Sequence, residues 1–371
     1  MSVAEDTIRK ILAAANVKID GDRAWDIHVR NPKFYERVLA EGSLGLGESY
    51  MDGWWETGAL DQFIFRIVRA GLKTREVPRL SAVLAYLKST LFNLQSRRRA
   101  RRDIHRHYDL GTKLYLSFLD PYNQYTCAYF QGVNDLDQAQ ERKLDLICKK
   151  LRITSADEVL DIGCGWGGFA KFASERYGCR VTGITISDEQ LAYAKNYTQG
   201  LPVSIVKMDY RDLSGVFDKI LICGMMEHVG FKNHRKLMST VHRCLKEGGL
   251  FLLQTIGAKE TSKFIDPWVG THIFPNTLLP SAKQIANAID GLFVVEDWQN
   301  FGAFYDQTLL AWFRNFDKNW ENLRSEFDER FYRMWKFYLL SCAGLFRARE
   351  TQLWQIVLSK DGLLEGYLPA R

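Results

Sequence analysis

Short apolar runs separated by helical patterns fill the middle of the chain. Five of these runs are typical of buried strands. They cover residues 159–162, 181–186, 203–207, 219–223 and 250–255. Helical patterns lie between most of them, and the one at 234–249 ends at a pair of glycines, a common stop signal. The alternation predicts a doubly wound, parallel α/β sheet, in which ligands bind beyond the carboxyl ends of the strands.

Residues 1 to about 90 follow a different pattern. Apolar residues recur there at helical spacing, in residues 8–15, 60–68 and 80–94. Such helices can form the core of a small domain, and they can equally turn one exposed face toward a lipid interface. The sequence leaves both interpretations open.

The stretch from Val159 to Gly168, VLDIGCGWGG, joins the first predicted strand to a helical pattern through a glycine-rich turn. This arrangement is typical of a Rossmann-like nucleotide site, and its glycines also fit the dinucleotide spacing G-x-G-x-x-G. Asp161 would repel a pyrophosphate but attract the ammonium and sulfonium of S-adenosylmethionine. The charge therefore favours the methyl donor. A ligand-free turn remains an alternative, and Asp188 keeps a dinucleotide site open.

Polar side chains also follow the other predicted strands. Thr185, Ser187 and Gln190 can bond ribose hydroxyls, and Tyr210 can offer its ring to adenine. Each of them taken singly is typical of an ordinary turn or cap. Their shared position at one sheet edge predicts a common pocket.

Composition and charge restrict the class of protein, its compartment and its binding partners. The 371 residues are 46% hydrophobic and 25% charged, which is typical of a globular protein of two or three domains. No apolar run is long enough to span a bilayer and the start is not a signal peptide, so we expect a cytoplasmic protein. Seven cysteines without metal-ligand spacing predict reduced thiols and no metal.

Residues 97–107 hold six arginines and one aspartate. This charge suits a membrane surface, a solvated linker or nucleic acid.

Eight segments, in order along nearly the whole chain, resemble the cyclopropane-fatty-acyl-phospholipid synthases. The glycine motif alone would indicate only the wide methyltransferase class, and the other segments are far more specific. The eight segments are EGSLGLGESYMDGWW at 41–55, HYDLG at 107–111, QYTCAYF at 124–130, VLDIGCGWGG at 159–168, GITIS at 183–187, MEHVG at 226–230, NFGAFYD at 300–306 and CAGLFRAR at 342–349.

The resemblance implies an α/β fold, a Rossmann-like class I methyltransferase sheet with a small helical N-terminal domain. It implies transfer of a methylene from S-adenosylmethionine to the cis double bond of an unsaturated phospholipid acyl chain, which forms a cyclopropane ring. It also implies a homodimer, bound peripherally to the inner face of an anionic membrane. We predict no nucleic-acid partner, because no target-base motif such as N-P-P-Y is present.

From this resemblance we expect the chain to consist of three functional segments. Residues 1–90 form a helical lipid-binding or dimerisation domain, residues 91–106 a basic linker, and residues 107–371 the catalytic domain that uses S-adenosylmethionine. We expect five arginines of the linker to dock the protein on the membrane: Arg97, Arg98, Arg99, Arg101 and Arg102.

The resemblance further implies a bound bicarbonate as the general base. The family's ligand positions fall on Cys127, Glu227, Ile256 and Tyr305. Where the family has a histidine the chain has Gln254, which can form hydrogen bonds but cannot carry a proton.

Several alternatives remain for these side chains. Glu227 can also cap the following helix or bind the amino group of the donor. Cys127 invites a nucleophilic role, but methylation of an alkene needs no covalent enzyme intermediate. Cys342 is either catalytic or a buried packing residue.

The family's donor-binding pattern can be carried over residue by residue. It falls on Tyr125, Thr126, Val159, Leu160, Asp161, Ile162, Gly163, Cys164, Gly165, Trp166, Gly167, Thr185, Ile186, Ser187, Gln190, Tyr210 and Arg211. A long insertion at residues 257–292 predicts a lid over an apolar acyl tunnel, although its apolar residues can equally pack on the sheet.

Overall fold

The computed structural model describes residues 2–72, 111–262 and 264–371. The chain forms two compact units, each built from pieces that are distant in sequence. The first unit comprises residues 1–92, 263–275 and 305–351, and the second comprises residues 93–262, 276–304 and 352–371. The functional division at residues 90 and 106 stays a prediction. The basic segment 97–107 and the helical pattern at 80–94 lie outside the described residues.

Fourteen α-helices and nine strands occupy the described residues. The helices are α1 (Val3–Ala14), α2 (Lys33–Glu41), α3 (Ser43–Met51), α4 (Leu60–Arg69), α5 (Thr112–Leu116), α6 (Leu136–Lys150), α7 (Gly168–Tyr177), α8 (Asp188–Tyr197), α9 (Met226–Val229), α10 (His234–Cys244), α11 (Pro267–His272), α12 (Ala282–Ile289), α13 (Ala303–Lys318) and α14 (Glu329–Arg347). The strands are β1 (Ile27–Val29), β2 (Trp55–Thr57), β3 (Glu158–Ile162), β4 (Arg180–Thr185), β5 (Val203–Lys207), β6 (Phe217–Cys223), β7 (Leu245–Ala258), β8 (Val294–Asn300) and β9 (Thr351–Ser359). None of these helices is long and apolar enough to cross a bilayer.

A seven-stranded sheet in the order β5-β4-β3-β6-β7-β9-β8 forms the centre of the second unit. Strands β3 to β7 pair in parallel, whereas β8 and β9 form an antiparallel pair. The α/β fold class and all five predicted strands are confirmed. The sequence pattern did not predict β8 and β9.

The predicted glycine stop at the end of 234–249 is wrong. Helix α10 ends at Cys244, and β7 begins at once with Leu245. The register between β6 and β7 shifts between Phe217 and Lys219, so the glycine pair lies in an irregular part of the strand. A Cβ on Gly249 would lie 2.7 Å from the Asp218 carbonyl oxygen, which requires glycine there.

The two faces of the sheet carry different helices. Leu237 and Val241 of α10 pack on one face, and Leu144 and Ile147 of α6 pack on the other. Strand residues two apart point to the same face. Asp161 therefore shares the α6 face with Val159, as Gln254 does with Leu252.

Trp55 is the centre of the first unit and has no exposed surface. Its indole nitrogen donates to the Leu46 carbonyl oxygen at 3.1 Å. Arg333 of α14 donates to the Trp55 carbonyl oxygen at 3.2 Å, which ties α14 to the N-terminal residues. Four aromatic rings have centroids within 6.5 Å of the Trp55 ring: Phe34, Tyr50, Phe63 and Phe337.

Two of the predicted N-terminal helices, α1 and α4, bury apolar residues within this unit. Ile8 and Leu12 of α1 are buried, as are Leu60, Phe63 and Ile64 of α4. These residues form core. Their role at a lipid interface stays a prediction.

The insertion at 257–292 contains two helices, α11 and α12. Trp268 of α11 packs in the first unit rather than on the sheet. Its indole nitrogen lies 3.4 Å from the Met51 sulfur, and its ring lies 4.7 Å from that of Phe337. The lid role of the insertion stays a prediction.

Gly47 of α3 leaves the space that the Trp268 ring occupies, because a Cβ there would lie 2.3 Å from the ring. Alanine in place of glycine inside a helix ordinarily stabilises a protein by up to about 1 kcal/mol. We expect Gly47→Ala instead to lower the free energy of unfolding by about 1–3 kcal/mol through overpacking. Urea denaturation measures the change. In a Trp268→Leu background the same substitution should lose most of this cost, and a stabilising effect of Gly47→Ala alone would contradict the packing described.

Candidate active site

The glycine turn after β3 opens the carboxyl edge of the sheet. The backbone N–H groups of Gly163 and Cys164 both donate to the Ile184 carbonyl oxygen of β4, at 2.9 and 3.0 Å. Gly165 has φ +55°, and no atom lies within 4 Å of where its Cβ would be. A ligand can therefore approach the backbone closely at this turn.

Two adjoining clefts lie at this edge and share Gly163, Gly165, Gln190 and Gly224. Counted out into open solvent, the empty space of the larger cleft is about 820 Å³ and that of the smaller about 590 Å³. Most of the predicted donor residues line one or both. Those in the larger cleft are Ile162, Gly163, Gly165, Thr185, Ile186, Gln190, Tyr210 and Arg211. Those in the smaller cleft are Tyr125, Thr126, Asp161, Gly163, Cys164, Gly165, Trp166 and Gln190.

Four predicted donor residues lie outside the linings of both clefts. Val159 and Leu160 are fully buried in the body of β3. Gly167 precedes α7, and Ser187 caps α8 by accepting from the Gln190 N–H at 3.2 Å. For Ser187 the ordinary cap is thus present in the structure.

Sequence reasoning missed four apolar residues of the larger cleft. They are Ile184, Met208, Met225 and Val229, and they line it together with Ile186. Met208 directly follows β5 and Met225 follows β6 by two residues, so their position at strand ends was the available signal. An apolar wall of this kind suits a flat adenine ring.

Arg211 has a partner within the protein. Its guanidinium binds the Asp209 carboxylate through two nitrogens, each at 2.8 Å. It also lies over the Tyr210 ring, 5.3 Å from the centroid. Arg211 therefore orients the predicted adenine partner.

Asp161 supplies a buried carboxylate to the smaller cleft and is 3% exposed. Burial raises its pKa to about 7, and the positive charge of Lys143 opposes that rise. An ionised Asp161 attracts a cationic ligand, whereas a protonated one does not. The charge, the open glycine backbone and the apolar wall together fit S-adenosylmethionine.

Glu227 of α9 is 4% exposed and lies beside residues that line the larger cleft. Its Oε1 accepts from the Ile256 N–H of β7 at 2.6 Å. Its Oε2 has no hydrogen-bond partner among the described residues. Burial raises the pKa of Glu227, and the Ile256 N–H and the Thr255 hydroxyl oppose that rise. A polar ligand bound here would meet a strong acceptor.

His228, next to Glu227, is a weak base. Burial lowers its pKa to about 4, so the ring is neutral at physiological pH. Its Nδ1 lies 3.0 Å from the Thr277 hydroxyl of the insertion. The next residue, Leu278, donates its N–H to the Glu227 carbonyl oxygen at 3.0 Å. His228 thus helps to fix the insertion against α9.

Gln254 of β7 is 1% exposed and pairs with Gln355 of β9, a residue that the sequence did not single out. The Gln355 Nε2 donates to the Gln254 Oε1 at 2.9 Å. The Gln254 Nε2 is left without a partner among residues 2–72, 111–262 and 264–371. The pairing with Gln355 thus leaves one buried N–H donor on the Gln254 side chain, two residues before Ile256 in the sequence.

Known proteins resemble the chain in both sequence and fold. The family profile for mycolic acid cyclopropane synthetase matches residues 95–356. The chain belongs to this family. It is 48% identical over 362 residues to cyclopropane-fatty-acyl-phospholipid synthase of Escherichia coli K12, covering 98% of the chain and 94% of that protein. The predicted family and enzyme class, a methyltransferase that uses S-adenosylmethionine, are confirmed.

Two solved structures from the same family share the fold. The cyclopropane synthase MmaA2 from Mycobacterium tuberculosis is 27% identical with a TM-score of 0.66, covering 70% of the chain and 98% of that structure. The mycolic acid cyclopropane synthase CmaA1, complexed with S-adenosylhomocysteine and CTAB, is 28% identical with the same TM-score and coverage.

The remaining candidate catalytic residues lie in different units. Cys127, in the second unit, is fully buried, and its thiol donates to the Ala128 carbonyl oxygen at 3.3 Å. Tyr305 lies in the first unit, where its ring stacks on Phe346 at 4.4 Å. Cys342 belongs to the same unit, and burial raises its pKa to about 12. A thiol with that pKa stays protonated at neutral pH, which disfavours a nucleophilic role.

Proposed function

We propose that the chain transfers a methylene from S-adenosylmethionine to the cis double bond of an unsaturated phospholipid acyl chain. The product is a cyclopropane ring, and bicarbonate is the general base. The main support is the buried Glu227 carboxylate, with one oxygen unpartnered among the described residues, beside a cleft that fits the methyl donor. The 48% identity to the Escherichia coli synthase supports the substrate.

The chemistry requires a methyl transfer followed by a proton loss. S-adenosylmethionine supplies an electrophilic methyl group. As the alkene forms a bond to that carbon, the bond from the carbon to sulfur breaks and S-adenosylhomocysteine leaves, while positive charge develops on the second alkene carbon. Loss of a proton from the new methyl group then provides the electron pair that closes the ring. The site must therefore exclude water, align the alkene and hold a base that accepts this proton.

Glu227 and Gln254 have complementary groups for bicarbonate. The unpartnered Oε2 of Glu227 can accept the bicarbonate hydroxyl, and the Nε2 of Gln254 can donate to one of its oxygens. We propose that they orient the base together with Cys127 and Ile256, and the role of Tyr305 stays a prediction. Gln254 then serves as a donor only, in a role that does not depend on its protonation.

The substrate lies in a membrane, so we propose peripheral binding at the inner face by a homodimer. Two lipid contacts per particle would strengthen binding by avidity. The arginine-rich segment 97–107 supplies positive charge, and each basic side chain near an anionic surface contributes about 1 kcal/mol.

We expect the purified protein, S-adenosylmethionine, bicarbonate and unsaturated phospholipid vesicles to yield fatty acids heavier by about 14 mass units, the CH2 increment of one transferred methylene. Mass spectrometry after mild hydrogenation distinguishes a ring from a methylated alkene, since only the alkene takes up hydrogen. Glu227→Gln should lose most of this activity while binding S-adenosylhomocysteine normally. Donor binding without any acyl product, under varied lipids and salt, would overturn the proposed function.

Gln254→Leu should raise the bicarbonate KM by about tenfold or more, because a hydrogen bond to a charged group contributes about 1.5–3 kcal/mol. Steady-state rates across a bicarbonate titration measure this change. Its affinity for S-adenosylhomocysteine should match that of the wild type, since Gln254 lines neither cleft. A bicarbonate KM equal to that of the wild type would remove Gln254 from the base site.

Replacing Arg97, Arg98, Arg99, Arg101 and Arg102 with glutamine should abolish binding to anionic vesicles, because the attraction is electrostatic and screened by salt. Vesicle co-sedimentation at low and high salt measures it. Binding of S-adenosylhomocysteine should not change. Co-sedimentation equal to that of the wild type at low salt would contradict docking through these side chains.

A further inference from the structure

Lys143 of α6 is a fully buried cation that the proposed reaction does not use. Its Nζ donates to the Thr126 hydroxyl at 3.0 Å and to the Gln124 side-chain oxygen. Gln140, one helical turn earlier, donates to the Thr126 carbonyl oxygen at 2.9 Å. Two side chains of α6 thus hold the segment 124–126.

That segment forms part of the wall of the smaller cleft. Tyr125 and Thr126 line it together with Asp161. The Cys223 thiol at the end of β6 lies 3.7 Å from the Thr126 hydroxyl. A Cβ on Gly224 would lie 2.8 Å from the Thr126 methyl group, so the segment touches the backbone at the end of β6. Lys143 thereby connects α6 to the place where the methyl donor is expected to bind.

The groups that face Lys143 come from three parts of the second unit. They are Asp161 of β3, Cys223 of β6, and Asp120 and Cys127 of the segment before α6. Burial lowers the pKa of Lys143, and these four groups oppose that change. Burial raises the pKa of both Asp120 and Asp161, and in each case the charge of Lys143 opposes the rise. The cation and the two carboxylates therefore stabilise one another's charged forms.

We infer that Lys143 is a positioning residue of the donor site, which fixes segment 124–126 against β6 and places a buried positive charge beside the cleft that Asp161 lines. The inference concerns donor binding and goes beyond the proposed reaction. It can be tested without lipid or bicarbonate, so its failure is distinguishable from a failure to form a ring.

The experiment measures the affinity of the full-length protein for S-adenosylhomocysteine by calorimetry between pH 6 and pH 9. Lys143→Met removes the charge with little change in side-chain volume. Lys150→Met is the matched control, because Lys150 is also fully buried on α6 but binds the Gln299 side-chain oxygen at 2.6 Å. Circular dichroism confirms that each variant is folded.

In the wild type, affinity should fall as the pH drops below about 7, because Asp161 takes up a proton. Lys143→Met raises the pKa of Asp161 further, so the fall should begin at a higher pH. At pH 7 we expect affinity weaker by about fivefold, since a rise of one pKa unit would lower the ionised fraction of Asp161 from about one half to about one tenth. The affinity should recover toward pH 9, and Lys150→Met should follow the wild-type curve.

A second pair of measurements separates electrostatics from packing. Lys143→Gln keeps a hydrogen-bonding side chain but removes the charge, so it should show the same shift of the pH midpoint. It replaces Lys143→Met in the experiment where that variant is unstable. In an Asp161→Asn background, Lys143→Met should change the affinity for S-adenosylhomocysteine by only a small fraction of the change that it causes in the wild type. Both substitutions act through the charge of residue 161, so their effects are not additive. An unchanged midpoint in both Lys143 variants, or a loss of equal size at every pH, would overturn the inference.

Discussion

The close approach of residues 120–126 to the start of α7 is the constraint on which the functional part of the second unit depends. A Cβ on Gly168 would lie 1.7 Å from the Tyr122 carbonyl oxygen, so no other residue fits there. The approach places the segment across the carboxyl edge of the sheet. Asp120 then fixes its turn by accepting the N–H groups of Tyr122 and Gln124, each at 2.8 Å. The last glycine of the motif thus serves packing rather than ligand binding.

The sequence predicted features that depend on neighbouring residues. The five parallel strands follow from their apolar runs, and the glycine turn follows from composition within ten residues. For these strands and this turn, the sequence pattern and its physical cause lie in the same segment, and the prediction was confirmed.

Features that depend on distant residues were not predictable. Gln254 and Gln355 are 101 positions apart, so nothing in either segment indicates that their amides meet. Lys143 lies in a helix rich in charged residues, whose pattern predicts a solvated side chain. Its buried amine binds Gln124 and Thr126 of segment 124–126, which the helix pattern does not indicate. Strands β8 and β9 are separated by α13 and α14, and their pairing likewise appears only in the folded chain.

The composition of the first unit has a consequence for protein synthesis. Trp55 leaves the ribosome early, but Arg333, which bonds its carbonyl oxygen, lies 278 residues later. At 5–20 residues per second, the ribosome needs roughly 15–55 s to reach that helix. During that interval the aromatic residues around Trp55 lack α14 and expose apolar surface. The aromatic centre of the first unit can therefore be completed only when translation is nearly finished.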